Sequence, residues 1–177
     1  MRIPQFSTMK SARGTGVKED TMLFKLALIA VADVERSKAF YGDLFEQKVA
    51  LDLGWNVMFS GGFAIQQNFA WLTDLPPESV VPRAHNMELY FEVDDFDAFL
   101  EKLSRRPEIE LGHPPKKHDW QQRVARLYDP DGHIIEVGES MAVIARRYLA
   151  EGRTIPEIAA LIQHPIAAVE AMIGSDL

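Results

Sequence analysis

The sequence of 177 residues contains no cysteine. This absence excludes disulfide bonds, thiolate metal sites and a cysteine nucleophile. Basic residues are also scarce, with 19 Lys and Arg against 26 Asp and Glu, which gives a net charge of −7. Such a balance argues against a protein that reads nucleic acid through its phosphates. No apolar run approaches the length of a membrane-spanning helix, so we expect a cytoplasmic protein without a membrane partner.

Residues 1–21 are polar and lack the apolar core of a signal peptide, so we expect them to form a flexible N-terminal extension. Beyond this point, runs with strand alternation and helical periodicity follow one another in the order βαβββ, and the order then repeats. The proline-containing stretch 68–86, with a short helical turn at 69–72, predicts a linker between the two units. The predicted strands are 24–31, 47–53, 55–60, 63–67, 87–93, 108–112 and the hairpin 121–138, and the predicted helices start at Asp33 and Asp95.

The predicted fold class is α+β, with two βαβββ modules at residues 22–67 and 87–139 that form a curved mixed sheet around a cleft. An internal repeat supports this prediction. VADVERSKAFY (31–41) aligns with VDDFDAFLEKL (93–103), and GGFAIQ (61–66) aligns with DGHIIE (131–136). The alignment selects four equivalent positions, which are Leu26, Gln66, Glu88 and Glu136.

The turns of the two hairpins predict which side chains share a face. If Tyr128 pairs with His133 across the DPDG turn, Arg123 lies on the face of Glu136, whereas Arg126 and His133 lie on the other. Arg123 is then expected to neutralise Glu136 or to bind a ligand. Arg126 is expected to pair with an acid on a packing helix, and His133 to be structural. A two-residue turn at Gly61 and Gly62 places Gln66 on one face with Trp55, Val57 and Phe59.

Three phrases, VADVERSKAFYGDLF, ELYFEVDDFDAFLEKL and RLYDPDGHIIEVGE, resemble the vicinal oxygen chelate superfamily, which includes glyoxalase I, bleomycin resistance proteins and extradiol dioxygenases. The resemblance covers about residues 23–139. It implies paired modules around a metal or ligand cleft, commonly in a homodimer. In metal-dependent members the ligands come from the four equivalent positions.

Here Glu136 matches the terminal Glu ligand of that superfamily, and Glu88 stands where a second-module His is common. Leu26 and Gln66 depart from the usual His and Glu. The resemblance therefore implies an all-oxygen set of Gln66, Glu88 and Glu136, which favours a hard ion such as Mg²⁺ or Mn²⁺ over Zn²⁺. The cofactor is expected to be one divalent ion (Mg, Mn, Fe, Ni or Zn) or none.

Two functions follow from this resemblance. In the first, a lyase, isomerase or dioxygenase uses Glu88, Glu136 and His118 in catalysis, with Gln66 as a further metal ligand and Arg123 orienting the substrate. In the second, a metal-free protein similar to bleomycin resistance proteins binds a cationic or aromatic small molecule. The substrate-binding residues proposed across both hypotheses are Trp55, Phe59, Gln66, Tyr90, Glu92, Trp120, Gln122 and Arg123.

Residues 140–177 predict a separate helical tail of three short segments. The phrase IPEIAALIQHPIAAVEAMI resembles a helix-turn-helix, but residues 166–172 contain no Lys or Arg. Contact with nucleic acid is therefore not expected, and an interaction or dimer-capping role is the better interpretation. A ligand-responsive regulator that uses this tail is a third possibility.

Overall fold

The computed structural model describes residues 22–174, so the extension expected over residues 1–21 lies outside the described residues. Within this range, no helix is both long enough and apolar enough to cross a membrane. The first module comprises β1 (Ala27–Ala30), α1 (Val34–Phe45), β2 (Val49–Asp52), β3 (Asn56–Phe59) and β4 (Phe63–Gln66). The linker contains α2 (Phe69–Leu72) and a 3₁₀ turn (Pro77–Ser79). The second module and the tail comprise β5 (Glu88–Val93), α3 (Phe96–Ser104), β6 (Leu111–Lys117), β7 (Arg123–Tyr128), β8 (Ile134–Glu139), α4 (Met141–Ala150), α5 (Ile155–Ile162) and α6 (Ile166–Gly174).

Each module folds into one four-stranded sheet, and the two sheets have the same topology. Their strand orders are β1-β4-β3-β2 and β5-β8-β7-β6. In each sheet the first strand pairs in parallel with the last, and the remaining pairs are antiparallel. The predicted α+β fold of two βαβββ modules is therefore confirmed. Strand β6 is longer and lies later in the chain than the predicted strand 108–112.

The helices of the two modules begin in the same way. Asp33 accepts a hydrogen bond from the Arg36 amide at 3.0 Å, and Asp95 accepts one from the Ala98 amide at 2.9 Å. Both aspartates are N-caps that satisfy an amide left free at the start of the helix. Helices α1 and α3 pack against their sheets in one shared core. A stacked contact between Phe45 and Phe91, with ring centroids 4.7 Å apart, joins the modules within that core.

Both hairpins close through three-residue loops, at residues 60–62 and 130–132. Gly62 donates its amide hydrogen bond to the Phe59 carbonyl at 3.1 Å, and Gly132 donates to the Asp129 carbonyl at 3.0 Å. These glycines have φ values of +84° and +87°, which residues with a Cβ rarely adopt. The sequence predicted a two-residue loop in the first hairpin and a four-residue loop in the second. Each observed loop has three residues, so both predicted registers are wrong by one residue.

The change of register moves side chains to the opposite faces of the hairpins. Arg126, not Ala125, is the partner of Glu136, and the prediction that Arg123 shares a face with Glu136 is wrong. In the first module, Asn56 is the partner of Gln66. Phe59 is only 3% exposed and lies in the core, so its predicted place on the face of Gln66 is also wrong.

The loop of the second hairpin is held to the first module by a buried carboxylate. Asp129 accepts hydrogen bonds from the Tyr41 hydroxyl at 2.8 Å and from the backbone amides of Asp131 and His133 at 2.9 and 2.8 Å. Its other contact is His133 Nδ1, at 2.8 Å. Burial raises the pKa of Asp129, but the hydrogen bond and charge of His133 outweigh this effect and hold the pKa below its ordinary value.

The tail forms a small helical bundle with its own core. Helix α4 starts directly after β8, separated from it by Ser140 alone. Thr154 begins α5 with a reciprocal capping box to Glu157. Trp120, from the loop before β7, packs against the apolar residues of the bundle and joins the tail to the second module. The buried side chains of this bundle are Met141, Ile144, Ala145, Ile158, Ala159, Ile162 and Val169.

Candidate functional site

One face of the second sheet carries a cluster of charged and aromatic side chains, which we call the acidic face. It consists of Glu88, Tyr90 and Glu92 from β5, Arg126 from β7 and Glu136 from β8. Alternation along β5 points these three residues away from the core and leaves the intervening apolar residues half-buried. The parallel pairing of β5 with β8 sets Tyr90 beside Glu136.

Arg126 links the two carboxylates at the repeat-equivalent positions. Its Nε donates a hydrogen bond to Glu88 Oε2 at 3.2 Å, and its terminal nitrogen forms an ion pair with Glu136 Oε2. The Glu136 side chain is 8% exposed, whereas that of Glu88 is 41% exposed. The guanidinium is therefore the counter-charge that permits Glu136 to be buried.

The predicted metal ligands do not come together around a divalent ion in this arrangement. The Arg126 guanidinium lies against both Glu88 and Glu136. Gln66 belongs to the other sheet, where its amide accepts a hydrogen bond from Asn56 at 2.8 Å and donates one to the Gln67 carbonyl at 2.6 Å. Among residues 22–174, no group of three or more His, Asp or Glu side chains is arranged to hold a metal. With Glu88 and Glu136 both paired with Arg126, these donors do not fit a divalent ion. The metal site expected from the sequence stays a prediction.

A hydrogen-bond network supports the aromatic part of the acidic face. The Tyr90 hydroxyl donates to Glu92 Oε1 at 2.7 Å and accepts from Gln122 Nε2 at 2.7 Å. Gln122 also donates to the Glu139 carbonyl at 3.0 Å and accepts from Trp120 Nε1 at 3.0 Å. Burial, followed by the bond to Glu92, raises the pKa of Tyr90 to about 12. Tyr90 therefore stays a neutral phenol at physiological pH.

Gly138 is the position at which this network permits no side chain. A Cβ built there would lie 2.5 Å from Gln122 Nε2 and 3.0 Å from the Tyr90 hydroxyl. We expect Gly138→Ala to lower the free energy of unfolding by about 1–3 kcal/mol, because the buried Gln122 must move and lose hydrogen bonds. Chemical denaturation measures the change.

Gly112→Ala is the matched control, because a Cβ there meets only ordinary contacts of 3.6 Å with Arg126. Both glycines lie in strands of the same sheet and have no positive φ. An equal loss of stability in the two variants would contradict the steric argument at Gly138.

The residues from His118 to Arg123, in the loop before β7 and at its first position, contact one another, the tail and α3. The His118 ring stacks on Trp120 with centroids 4.0 Å apart, and burial, followed by nearby positive charge, lowers its pKa. Arg123 pairs with Glu139 at 3.1 Å and with Asp97 of α3 at 2.7 Å. An acid on a packing helix was the partner expected for Arg126. The structure pairs such an acid, Asp97, with Arg123 instead. Ligand-binding roles for His118, Trp120, Gln122 and Arg123 stay predictions.

The structure brings together only some of the candidate residues. Glu88, Tyr90, Glu92, Glu136 and Gln122 lie on or beside the acidic face, whereas Gln66, Phe59 and Trp55 belong to the first module. Arg126 lies in the site, although its predicted place was on the opposite face from Glu136. The final glycine of PDG (130–132) indicated this position for Arg126, because a three-residue loop with glycine at its last position puts Arg126 opposite Glu136.

Comparison with known proteins places residues 24–142 in the family model described as a glyoxalase-like domain. A protein of unknown function from Agrobacterium tumefaciens has a solved structure that is 41% identical, with a TM-score of 0.60, and the match covers 70% of this chain and 98% of that one. A glyoxalase-related enzyme from Fulvimarina pelagi is 23% identical (TM-score 0.53), with 67% and 89% covered.

A third solved structure, a glyoxalase/bleomycin resistance protein/dioxygenase family enzyme from Burkholderia phytofirmans, is 17% identical to this chain. Its TM-score is 0.56, and the match covers 65% of this chain and 96% of that one. The likeness to the Fulvimarina and Burkholderia proteins concerns the fold alone. No curated protein sequence matches the chain significantly.

Proposed function

The chain belongs to the glyoxalase-like family of the vicinal oxygen chelate superfamily, and within it we propose a protein that binds a cationic small molecule on its acidic face without a divalent metal. The observation that carries this proposal is the guanidinium of Arg126, which pairs with both Glu88 and Glu136. A fixed cation at this place supplies the charge that a metal ion supplies in metal-dependent members. The metal-dependent enzyme is therefore the less favoured of the two functions.

The charge of the acidic face supports a cationic ligand. The acidic face contains three carboxylates and one guanidinium, and Arg126 pairs with Glu88 and Glu136 but not with Glu92, so the cluster keeps an excess of negative charge. Glu88 and Glu92 lie on either side of Tyr90, two residues away in each direction, or about 7 Å along the strand. Tyr90 is 48% exposed, so part of its ring is accessible to a ligand. An amine could therefore contact the ring by a cation–π interaction and pair with either glutamate.

A homodimer is part of the same proposal. The β2 strand and the residue after it expose apolar side chains, with Val49 46%, Leu51 44% and Leu53 63% exposed. Exposed apolar residues that follow one another along an edge strand favour coverage by another chain. Light scattering coupled to gel filtration measures the mass, and a monomer at micromolar concentration would contradict this part of the proposal.

Calorimetric titration of the chelator-treated protein tests the function. We expect phenethylamine to bind and Mn²⁺, Ni²⁺ and Zn²⁺ not to bind. Glu92→Gln should weaken phenethylamine binding about fivefold, because it removes the exposed charge nearest the Tyr90 hydroxyl. Glu170→Gln is the matched control, since it removes the same charge from an exposed position on α6.

Stoichiometric binding of one of these metals, lost in Glu136→Gln, would overturn the proposal and favour the enzyme hypothesis. Equal binding of phenethylamine to the wild type and Glu92→Gln would show that the acidic face is not the binding site.

Regulation through DNA contact by the tail gains no support, because α6 has no Lys or Arg over residues 166–174.

A further inference from the structure

A cavity of about 560 Å³ lies beneath the linker, away from the acidic face, and we call it the linker cavity. Its walls come from the end of β1, the residue before β3, helix α2, the later part of the linker and the loop of the second hairpin. No residue of the acidic face lines it. The lining residues are Ala30, Val31, Ala32, Trp55, Asn68, Phe69, Ala70, Trp71, Pro77, Val80, Val81, Pro82, Asp131 and His133.

The walls of the linker cavity are mostly apolar and aromatic. Trp55 and Trp71 meet edge to face with ring centroids 5.9 Å apart, and they remain 53% and 69% exposed. Two indoles left this open expose a large apolar area to water, which a flat apolar ligand would cover. The volume is within the range of small-molecule sites, about 300–1,000 Å³. An aromatic ligand of two or three fused rings fits these walls.

His133 provides a directional polar group of the cavity. Its Nδ1 is held by the buried Asp129 at 2.8 Å, which fixes the ring, and no described residue hydrogen-bonds to Nε2. Asp131 is already engaged, because it accepts hydrogen bonds from Arg36 at 2.7 Å and from the Ala32 amide at 3.0 Å. His133 Nε2 is therefore available to a ligand, as is the side-chain amide of Asn68, another lining residue.

The protonation behaviour of His133 narrows the ligand class. Burial lowers the pKa of His133, but the hydrogen bond and charge of Asp129 outweigh this and raise it above its ordinary value. An imidazole ring has a neutral and a protonated form, and the raised pKa favours the protonated one. A phenolic hydroxyl suits both forms, because it donates to the neutral Nε2 and accepts from the protonated one.

We infer that the linker cavity is a second binding site, which takes a hydroxyaromatic compound against the exposed faces of Trp55 and Trp71, with its hydroxyl on His133 Nε2. The inference rests on the cavity, the paired indoles and the anchored imidazole, and it does not depend on the acidic face. Its failure and the failure of the proposed function are distinguishable, because the two sites share no residue.

The test uses 2-naphthol as the probe and naphthalene as the same ring system without the hydroxyl. We expect 2-naphthol to bind with quenching of tryptophan fluorescence, and about tenfold more tightly than naphthalene, because only 2-naphthol reaches His133. In His133→Asn the two probes should bind equally, since the asparagine amide can still donate to Asp129 but does not extend to the ligand. Trp71→Ala should weaken both probes.

His85→Asn is the matched control, because His85 lies outside the linker cavity, beside Tyr128. It should leave the tenfold preference unchanged, as should Glu92→Gln on the acidic face. The inference is overturned if 2-naphthol does not bind the wild type, or if His133→Asn keeps the preference. Trp71→Ala is a second test of the site that still applies if His133→Asn fails to fold. Trp71 is largely exposed, so its truncation should leave the fold intact. Unchanged affinity of Trp71→Ala for both probes would also overturn the inference.

Discussion

Replacing Arg126 with methionine is expected to lower the free energy of unfolding by about 3 kcal/mol at neutral pH. The variant leaves Glu136, with a side chain 8% exposed, charged and without its ion-pair partner. Removal of one member of a buried ion pair costs about 3–5 kcal/mol, and the partial exposure of Arg126 argues for the lower end. Methionine keeps most of the apolar stem, so the loss reports on charge more than on packing.

Urea denaturation of a double-mutant cycle checks this expectation. Adding Glu136→Leu to Arg126→Met should restore most of the stability, because it removes the unpaired charge. Arg105→Met is the matched control, since Arg105 pairs with Glu101 on the surface of α3 with side chains 72% and 67% exposed. That pair should contribute less than about 1 kcal/mol. Similar losses at Arg126 and Arg105 would show that Glu136 does not need its counter-charge.

Under the proposed function, the same variant should gain an affinity for divalent cations. Without the guanidinium, Glu88 and Glu136 face each other near His113, whose Nε2 lies 3.4 Å from an Arg126 nitrogen. Two carboxylates and an imidazole suit ions such as Mn²⁺ and Zn²⁺. Calorimetric titration of Arg126→Met with each ion measures the gain, and Arg126→Met/Glu136→Leu should lose it again.

Glu139→Gln is expected to cost about 3 kcal/mol at neutral pH, because Glu139 is a buried carboxylate shared by two arginines. Arg147 of α4 donates to it at 2.7 Å, and Arg123 donates through Nε at 3.1 Å. Each charge-assisted hydrogen bond contributes about 1.5–3 kcal/mol, and the amide cannot replace both. The loss should fall on the contact between the tail and the second module.

The contribution of Glu139 should depend on pH in a defined direction. Burial raises its pKa, but the hydrogen bonds and charges of Arg123 and Arg147 outweigh this and hold the pKa below the ordinary 4.5. A lowered pKa means that the stabilisation is complete above about pH 4.5 and is lost as the pH falls through the folded-state value. The stability difference between the wild type and Glu139→Gln should therefore be constant near neutrality and shrink in acid.

Hydrogen exchange locates the effect of Glu139. Arg147→Leu should increase exchange in α4–α6 alone, because Arg147 carries the link to the tail, whereas Arg123→Leu should affect β7 and α3 as well. Glu151→Gln, at the exposed end of α4, is the control. A pH-independent difference, or a tail that exchanges normally in Arg147→Leu, would contradict this role of the carboxylate.

The sequence was sufficient to predict the modules and insufficient to predict the faces of the hairpins. Periodicity and the aspartate caps predicted both α1 and α3, and the repeat predicted the shared topology of the sheets. Pairing in a hairpin depends on whether its loop has two, three or four residues, and both PDG and SGG are compatible with several lengths. An error of one residue in the loop length led to the wrong faces for Arg123 and Arg126. It also placed Phe59 in the predicted cleft, although this residue lies in the core.

The linker cavity was beyond prediction from the sequence for a different reason. Its walls come from residues 30–133, and they meet only through the way the linker packs across β1 and the second hairpin. Periodicity predicts which face of one element is apolar, but it contains no information about such contacts over long separations. Trp71 and His133 therefore carried no signal in the sequence that would connect them.

Under the proposed function, Arg126 also changes how the site between Glu88 and Glu136 is filled during the life of the protein. A metal ion must be acquired from a limited cellular pool, exchanges with that pool, and is subject to competition in which Cu²⁺ and Zn²⁺ outbind Mn²⁺. A guanidinium carried on β7 arrives when β7 pairs with β8, cannot dissociate, and cannot be replaced by a wrong ion. Chelators and metal starvation should therefore leave this part of the protein unchanged.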